Sequence, residues 1–213
     1  MRIRHPKGPR AVFLFLLLGV CPLASAQEKQ ELTVDWIYSD EGQEPARLPS
    51  YVWLKDGSLL LHDARKPEAE RTFERLNPET GQRSLAVDKD KALANLRAVA
   101  GEESELDSLP WPESFDATGR RALYAFNDDL YLLVIETASV SRVTQTKEEE
   151  HAARFSPDGN RIAFVRSNDL FVYDIDRQKE TQLTKDGSET VLNGTLSWVY
   201  WEEIFGREDI GYW

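Results

Sequence analysis

The chain has 213 residues and a formal net charge of -11 at pH 7, from 26 lysines and arginines against 37 aspartates and glutamates. Four of the basic residues and no acid lie in residues 1–26, so the remainder is more acidic still, which excludes a generic nucleic-acid binder that would need basic patches to replace phosphate counterions. With 41% hydrophobic residues, 10% aromatic residues and six tryptophans the chain can bury a core and is not disordered by composition.

In chain order, the first 26 residues have the parts of an export signal. A basic start is followed by the apolar run Ala11 to Val20 and by small residues Ala24-Ser25-Ala26 before Gln27. The run is far shorter than the roughly 20 residues that span a bilayer. Residues 1–26 are therefore expected to be a cleaved signal peptide, and residues 27–213 an exported domain, periplasmic or secreted, with no membrane attachment after cleavage. Cys21, the single cysteine, lies in this leader. The mature chain then has no disulfide, thiolate nucleophile or cysteine-ligated zinc.

Leu32 to Tyr38 reads as an N-terminal strand. Tyr51-Val52-Trp53-Leu54, a turn at Lys55-Asp56-Gly57 and Leu59-Leu60-Leu61 read as a hairpin, and Asn77-Pro78-Glu79-Thr80-Gly81 as the turn closing another strand pair. From Asp88 to Ala100 the apolar spacing becomes helical, with Gly101 as its stop. This helix and the acidic stretch after it look like an insertion.

Residues 112–133 and 153–173 then repeat one another at a constant offset of 40: Phe115 with Phe155, Gly119 with Gly159, Asp129 with Asp169, Leu130 with Leu170, and further on Thr144 with Thr184. A period of 40 to 45 residues made of short strands is the signature of a β-propeller blade. Within it, Ser156-Pro157-Asp158-Gly159 supplies a reversal, Pro157 presetting φ and Gly159 free to take a positive one. Ile162-Ala163-Phe164-Val165 is apolar on both faces, as befits a strand sandwiched between blades, and a corner at Ser167-Asn168-Asp169 leads into Leu170-Phe171-Val172-Tyr173. The fold class expected is all-β: a partial β-propeller of about three blades of four-stranded antiparallel sheet.

The last segment, Val191 to Trp213, breaks the rhythm and contains an insertion. There Trp198, Tyr200, Trp201 and Phe205 surround the adjacent carboxylates Glu202 and Glu203. Two anions beside apolar rings repel each other and lose hydration unless a cation fills the gap. A primary ammonium, with three donors, would satisfy both. The plainer alternative is a short amphipathic helix whose glutamates are simply solvated.

Ser197-Trp198-Val199-Tyr200-Trp201-Glu202-Glu203-Ile204-Phe205-Gly206-Arg207, followed by Gly211-Tyr212-Trp213, resembles the glutamate motif of the dipeptidyl peptidase IV family of serine exopeptidases, particularly its bacterial members. Residues 154–175 and 182–194 resemble the propeller segments that precede that motif, in the same order. The resemblance implies that Glu202 and Glu203 project from a short helical insertion and hold the free N-terminus of a peptide substrate, so that dipeptides are released one at a time. It also implies proteolysis carried out by an α/β-hydrolase domain that supplies the serine, aspartate and histidine, and it leaves room for a homodimer of the full-length parent.

No catalytic residue is assigned to this chain. It has no G-x-S-x-G elbow, and its three histidines are His5 in the leader, His62 at the end of an apolar strand and His151 after Glu148-Glu149-Glu150. No cofactor and no metal site is expected: consecutive Glu148 to His151 converge poorly on one ion, and Asp88-Lys89-Asp90 lacks the rest of a calcium loop. Asn193-Gly194-Thr195 is a glycosylation acceptor only in a eukaryotic host. About three blades do not close a ring, so the chain is expected to be a fragment or truncated product of a larger exopeptidase with exposed strand edges. A non-enzymatic exported binding propeller fits the repeats equally well, since propellers host many functions.

Overall fold

The computed structural model describes residues 32–101 and 106–213, which fall in two compact units divided between Glu44 and Pro45. The expected signal peptide, Cys21, His5 and part of the acidic stretch after the central helix lie outside the described residues. Among the described residues no helix is long and apolar enough to cross a membrane.

The N-terminal unit corrects one expectation. Leu32 to Tyr38 is not a strand: α1 (Val34–Ile37) and α2 (Asp40–Gln43) are two short helices. Local capping overrides the β-branched composition. Thr33 Oγ1 accepts from the Trp36 N–H at 3.1 Å, and Ser39 Oγ accepts from the Gly42 N–H at 3.1 Å while donating to the Trp36 carbonyl at 2.7 Å. A Cβ at Gly42 would stand 1.9 Å from that carbonyl oxygen, so only glycine permits the approach.

The second unit contains three four-stranded antiparallel sheets, each with its strands in chain order, as in a partial β-propeller. Blade 1 is β1 (Ser50–Trp53), β2 (Leu59–His62), β3 (Phe73–Leu76) and β4 (Arg83–Leu85). Blade 2 is β5 (Ser114–Phe115), β6 (Arg121–Phe126), β7 (Asp129–Val134) and β8 (Ser139–Arg142). Blade 3 is β9 (Glu150–Phe155), β10 (Arg161–Arg166), β11 (Asp169–Asp174) and β12 (Lys179–Gln182). The expected helix is present as α3 (Lys89–Ala100), capped by the Asp88 carboxylate on the Lys91 N–H and ended by Gly101 at φ +87°. Asp88 is thus a helix cap, not part of an ion loop.

The expected turns form as their chemistry dictates. Asn77 Oδ1 accepts from the Glu79 and Thr80 N–H groups, and Gly159 closes the reversal after Ser156 at φ +75°. The hairpins β6–β7 and β10–β11 each turn on two residues with positive φ, Asn127-Asp128 and Ser167-Asn168. Their twist matches that of the strands, which favours such mirror-image turns. Asp169 therefore opens β11 rather than belonging to the corner.

Blade 2 is apolar on both faces because both are covered. Ala122, Tyr124, Tyr131 and Leu133 pack with Phe73 of blade 1 and with Ala92, Leu96 and Ala100 of α3. Leu123, Leu130 and Leu132 pack with Ala153, Phe155, Ile162, Phe164 and Phe171 of blade 3. The 40-residue offset has a physical basis in a polar anchor made twice. Thr144 Oγ1 accepts from the Leu130 N–H at 2.8 Å, and Thr184 Oγ1 accepts from the Leu170 N–H at 2.9 Å. Asp129 accepts from Arg142 and from the Thr146 N–H. Asp169 accepts from Gln182, Thr184 and the Gly187 N–H, bonds that hold its carboxyl below the usual carboxylate range, the Thr184 hydroxyl most of all.

Candidate functional site

Glu202 and Glu203 stand in a wide helical turn, Val199–Phe205, of the π type with Gly206 at φ +60° as its left-handed end. An α-helix rotates successive residues by about 100°. The i→i+5 closure of a π turn winds more loosely, so neighbouring side chains leave it on more nearly the same side. Such turns concentrate at functional sites. Both carboxylates are exposed, and so are Trp198, Tyr200, Trp201, Ile204 and Phe205 around them. Tyr200 and Phe205 stack with ring centroids 6.3 Å apart. The aromatic residues of the turn therefore do not bury the pair, and the loss of hydration expected from the aromatic composition is absent.

No residue of the turn is buried, so packing does not fix it. Its stem does. The Leu196 N–H donates to the Glu208 carbonyl at 2.9 Å, the Ile210 N–H donates to the Gly194 carbonyl at 3.2 Å, and Thr195 pairs with Asp209 as an isolated antiparallel bridge. The stem lies against β9. There His151 Nδ1 is 2.5 Å from Glu208 Oε1, Arg154 Nε donates to Asp209 Oδ2 at 3.2 Å, and the Tyr212 hydroxyl donates to the Ala152 carbonyl at 2.8 Å. Burial raises the Tyr212 phenol above its ordinary range, so it stays a donor.

The Ala152 carbonyl is available because β9 is bulged. His151 pairs with Val165 and Arg154 with Ala163, which leaves Ala152 and Ala153 opposite the single Phe164, with Ala152 at φ +53°. Gly194 lies under the stem at φ +94°, where a Cβ would come 2.7 Å from Val165 Cγ2.

The other residues singled out in the sequence serve the fold. His62 is buried on β2 between Phe73 and Trp111, and desolvation lowers its imidazole below the usual value. The run Glu148-Glu149-Glu150 divides: the first two are exposed, whereas Glu150 is fully buried and accepts from Arg166 Nε at 2.5 Å, Thr146 Oγ1 at 2.6 Å and Thr144 Oγ1 at 2.7 Å. Asn193 of the acceptor sequence donates to Asp169 and Asp186. Among the described residues no group of three or more histidine, cysteine or acidic residues could hold a metal ion. Arg154 and Asp209, unremarkable in the sequence, are the contacts at the base of the turn that it did not disclose.

Residues 117–213 match the family model described as the dipeptidyl peptidase IV N-terminal region. Among curated proteins, the chain is 35% identical over 187 residues to a probable dipeptidyl-aminopeptidase B of Talaromyces marneffei, covering 88% of this chain and 17% of that protein. It is 43% identical over 206 residues to a probable dipeptidyl-aminopeptidase B of Podospora anserina, covering 85% of this chain and 20% of the other. The chain thus spans about a fifth of the length of these relatives. In the fold it is similar to the crystal structure of Porphyromonas gingivalis dipeptidyl peptidase 4, with a TM-score of 0.57 and 23% identity over 76% of this chain and 23% of that one.

Proposed function

Because the chain belongs to the dipeptidyl peptidase IV family through its N-terminal propeller region, we propose that Glu202 and Glu203 receive the free N-terminal ammonium of a peptide substrate. The observation that carries this is the geometry of the turn: two adjacent, accessible carboxylates on a π-type turn that also presents exposed aromatic side chains, on a segment held by its stem. The chain would act as the propeller portion of an exported serine dipeptidyl peptidase. The nucleophile would come from a hydrolase domain, since this sequence has no serine elbow.

In this reading the site is a ruler. An ammonium fixed two extended residues from the attacking serine, roughly 7 Å, confines cleavage to the second peptide bond, because only that carbonyl reaches the reacting distance. The carboxylates supply charge-assisted hydrogen bonds and position the substrate without touching the scissile bond.

The magnitude follows from exposure. Solvent-exposed ion pairs contribute about 1 kcal/mol or less each, so the two carboxylates together supply at most about 2 kcal/mol and this chain alone should bind a tripeptide no more tightly than tens of millimolar. The titration to make follows the amide resonances of residues 199–205 in NMR with trialanine and with N-acetyl-trialanine. The free amine should bind about tenfold more tightly, the preference should shrink as salt rises, and Glu202→Gln with Glu203→Gln should remove it. Equal binding of both peptides, or an undiminished preference in the double variant, would refute the assignment.

A further inference from the structure

We propose that Arg154 is a positioning residue: through Asp209, and seconded by the His151–Glu208 pair, it fixes the Glu202–Glu203 turn in place against blades 2 and 3. Its functional consequence rests on the ammonium reading above, while its structural content does not.

The argument starts from what the turn lacks. None of its residues is buried, so no core contact sets where the carboxylates stand, and two hydrogen bonds across the stem leave it free to pivot on the propeller. The contacts that would stop that motion converge on β9. Asp209 is buried, with 4% of its surface exposed; it accepts from Arg154 Nε and from the Gly211 N–H at 3.0 Å, and Arg207 stands 3.9 Å away as an ion pair. Arg154 reaches further: its Nη1 donates to the Glu113 carbonyl, at the edge of β5, at 3.0 Å and to its own neighbour Ala153 at 3.2 Å. One guanidinium therefore joins blade 2, blade 3 and the base of the turn.

That junction needs the planar fork. The Nε–H points to Asp209 while Nη1 serves the two carbonyls, and an ammonium on a flexible stem, a single point charge, cannot hold both directions together. His151 with Glu208 and Tyr212 with the Ala152 carbonyl restrain the same stem on either side of Asp209. An error of about 1 Å in the placement of a binding group is enough to misalign a reacting bond by orders of magnitude in rate, so a turn that carries a ruler requires such a clamp.

The experiment measures backbone order parameters of residues 199–205 by 15N relaxation in the full chain, as wild type, Arg154→Lys, Asp209→Asn and His151→Gln, alongside the same free-amine and acetylated trialanine titrations. Arg154→Lys should lower the order parameters from about 0.85 to below about 0.6, leave β6, β7 and β10 unchanged, and reduce the preference for the free amine about fivefold. His151→Gln, which removes one restraint and keeps the fold, should do so partially, and Glu203→Gln should reduce the free-amine preference without loosening the turn. Unchanged order parameters in Arg154→Lys and His151→Gln would overturn the clamp, as would a full free-amine preference in a loosened turn. If wild type shows no preference, the ammonium reading fails, and the order parameters alone decide the clamp.

Discussion

Glu150 is the sharpest test of how the blades are joined. Its carboxylate is fully buried and receives Arg166, Thr146 and Thr144, the last of which also accepts from the Leu130 N–H of blade 2. Its own N–H donates to the Asp128 carbonyl at 3.0 Å. Removing one partner of a buried ion pair costs about 3–5 kcal/mol, because the remaining charge is left desolvated. Here Arg166 keeps a bidentate pair with Glu180, at 2.9 and 2.8 Å, and packs over the Phe171 ring at 4.5 Å from its centroid. Glu150→Ala should therefore fall at the lower end, about 3 kcal/mol. In a chain of this size that is a loss of about 6–12 °C in Tm. Glu150→Gln keeps the shape and one acceptor and should cost about half as much. Glu149→Ala, one residue away and exposed, should lie within about 0.5 kcal/mol of wild type. Chemical denaturation of the three variants checks the ordering. A Glu150→Ala loss below about 1 kcal/mol, or one matched by Glu149→Ala, would refute the view that this carboxylate ties blade 2 to blade 3.

Two further outcomes follow from the same structure. His62 is held neutral by burial, so its folded value lies below its unfolded one near 6.5. The stability it contributes is complete above that value and is lost as pH falls below it, and Asp63, drawn down to about 2 by Arg65, adds a second loss between about pH 4 and 2. In denaturation curves taken from pH 8 to 2, His62→Phe should flatten the first decline and Asp63→Asn the second. Gly119→Ala combines a positive φ of +67° with a Cβ 2.7 Å from Leu54 Cδ1, whereas Gly57→Ala at φ +81° meets open space. The first should cost about 2–3 kcal/mol and the second about 1, the left-handed penalty alone, by the same denaturation assay.

The blades were legible because the repeat is enforced by side chains that must recur. Asp129 and Asp169, Leu130 and Leu170, Thr144 and Thr184 share an offset because each set closes the same strand end: the Leu N–H donates to the Thr hydroxyl, and the Asp accepts from Arg142 or Gln182. Helix α3 was legible for a different reason, its apolar spacing and its caps. Residues 32–38 were misread because Val34, Trp36 and Ile37 carry strand composition. The deciding signals were single capping side chains, Thr33 and Ser39, and an acidic first turn at Asp40 and Glu41. Glu150 was hidden by its neighbours: in a run of three glutamates the composition is uniform, and only strand register buries the third.

The candidate site was half legible, and the division is physical. Glu202 and Glu203 could be singled out because adjacent carboxylates among aromatic residues are a local pattern. What holds them could not, because Arg154 meets Asp209 across 55 residues and His151 meets Glu208 across 57. Those contacts depend on a defect in the repeat. At the position that β5 occupies in blade 2, two residues pair regularly with β6, Ser114 with Leu123 and Phe115 with Ala122. The equivalent strand of blade 3 is six residues long, and its bulge sets two alanines against Phe164 and turns the Ala152 carbonyl out of the ladder to meet Tyr212. A regular β9 would use that carbonyl within its own sheet and would place His151 and Arg154 in a different register against the stem. The strand that departs from the repeat is thus the one that receives the segment that departs from it, and a substitution that restored regular pairing in β9 would release the glutamate turn without altering either glutamate.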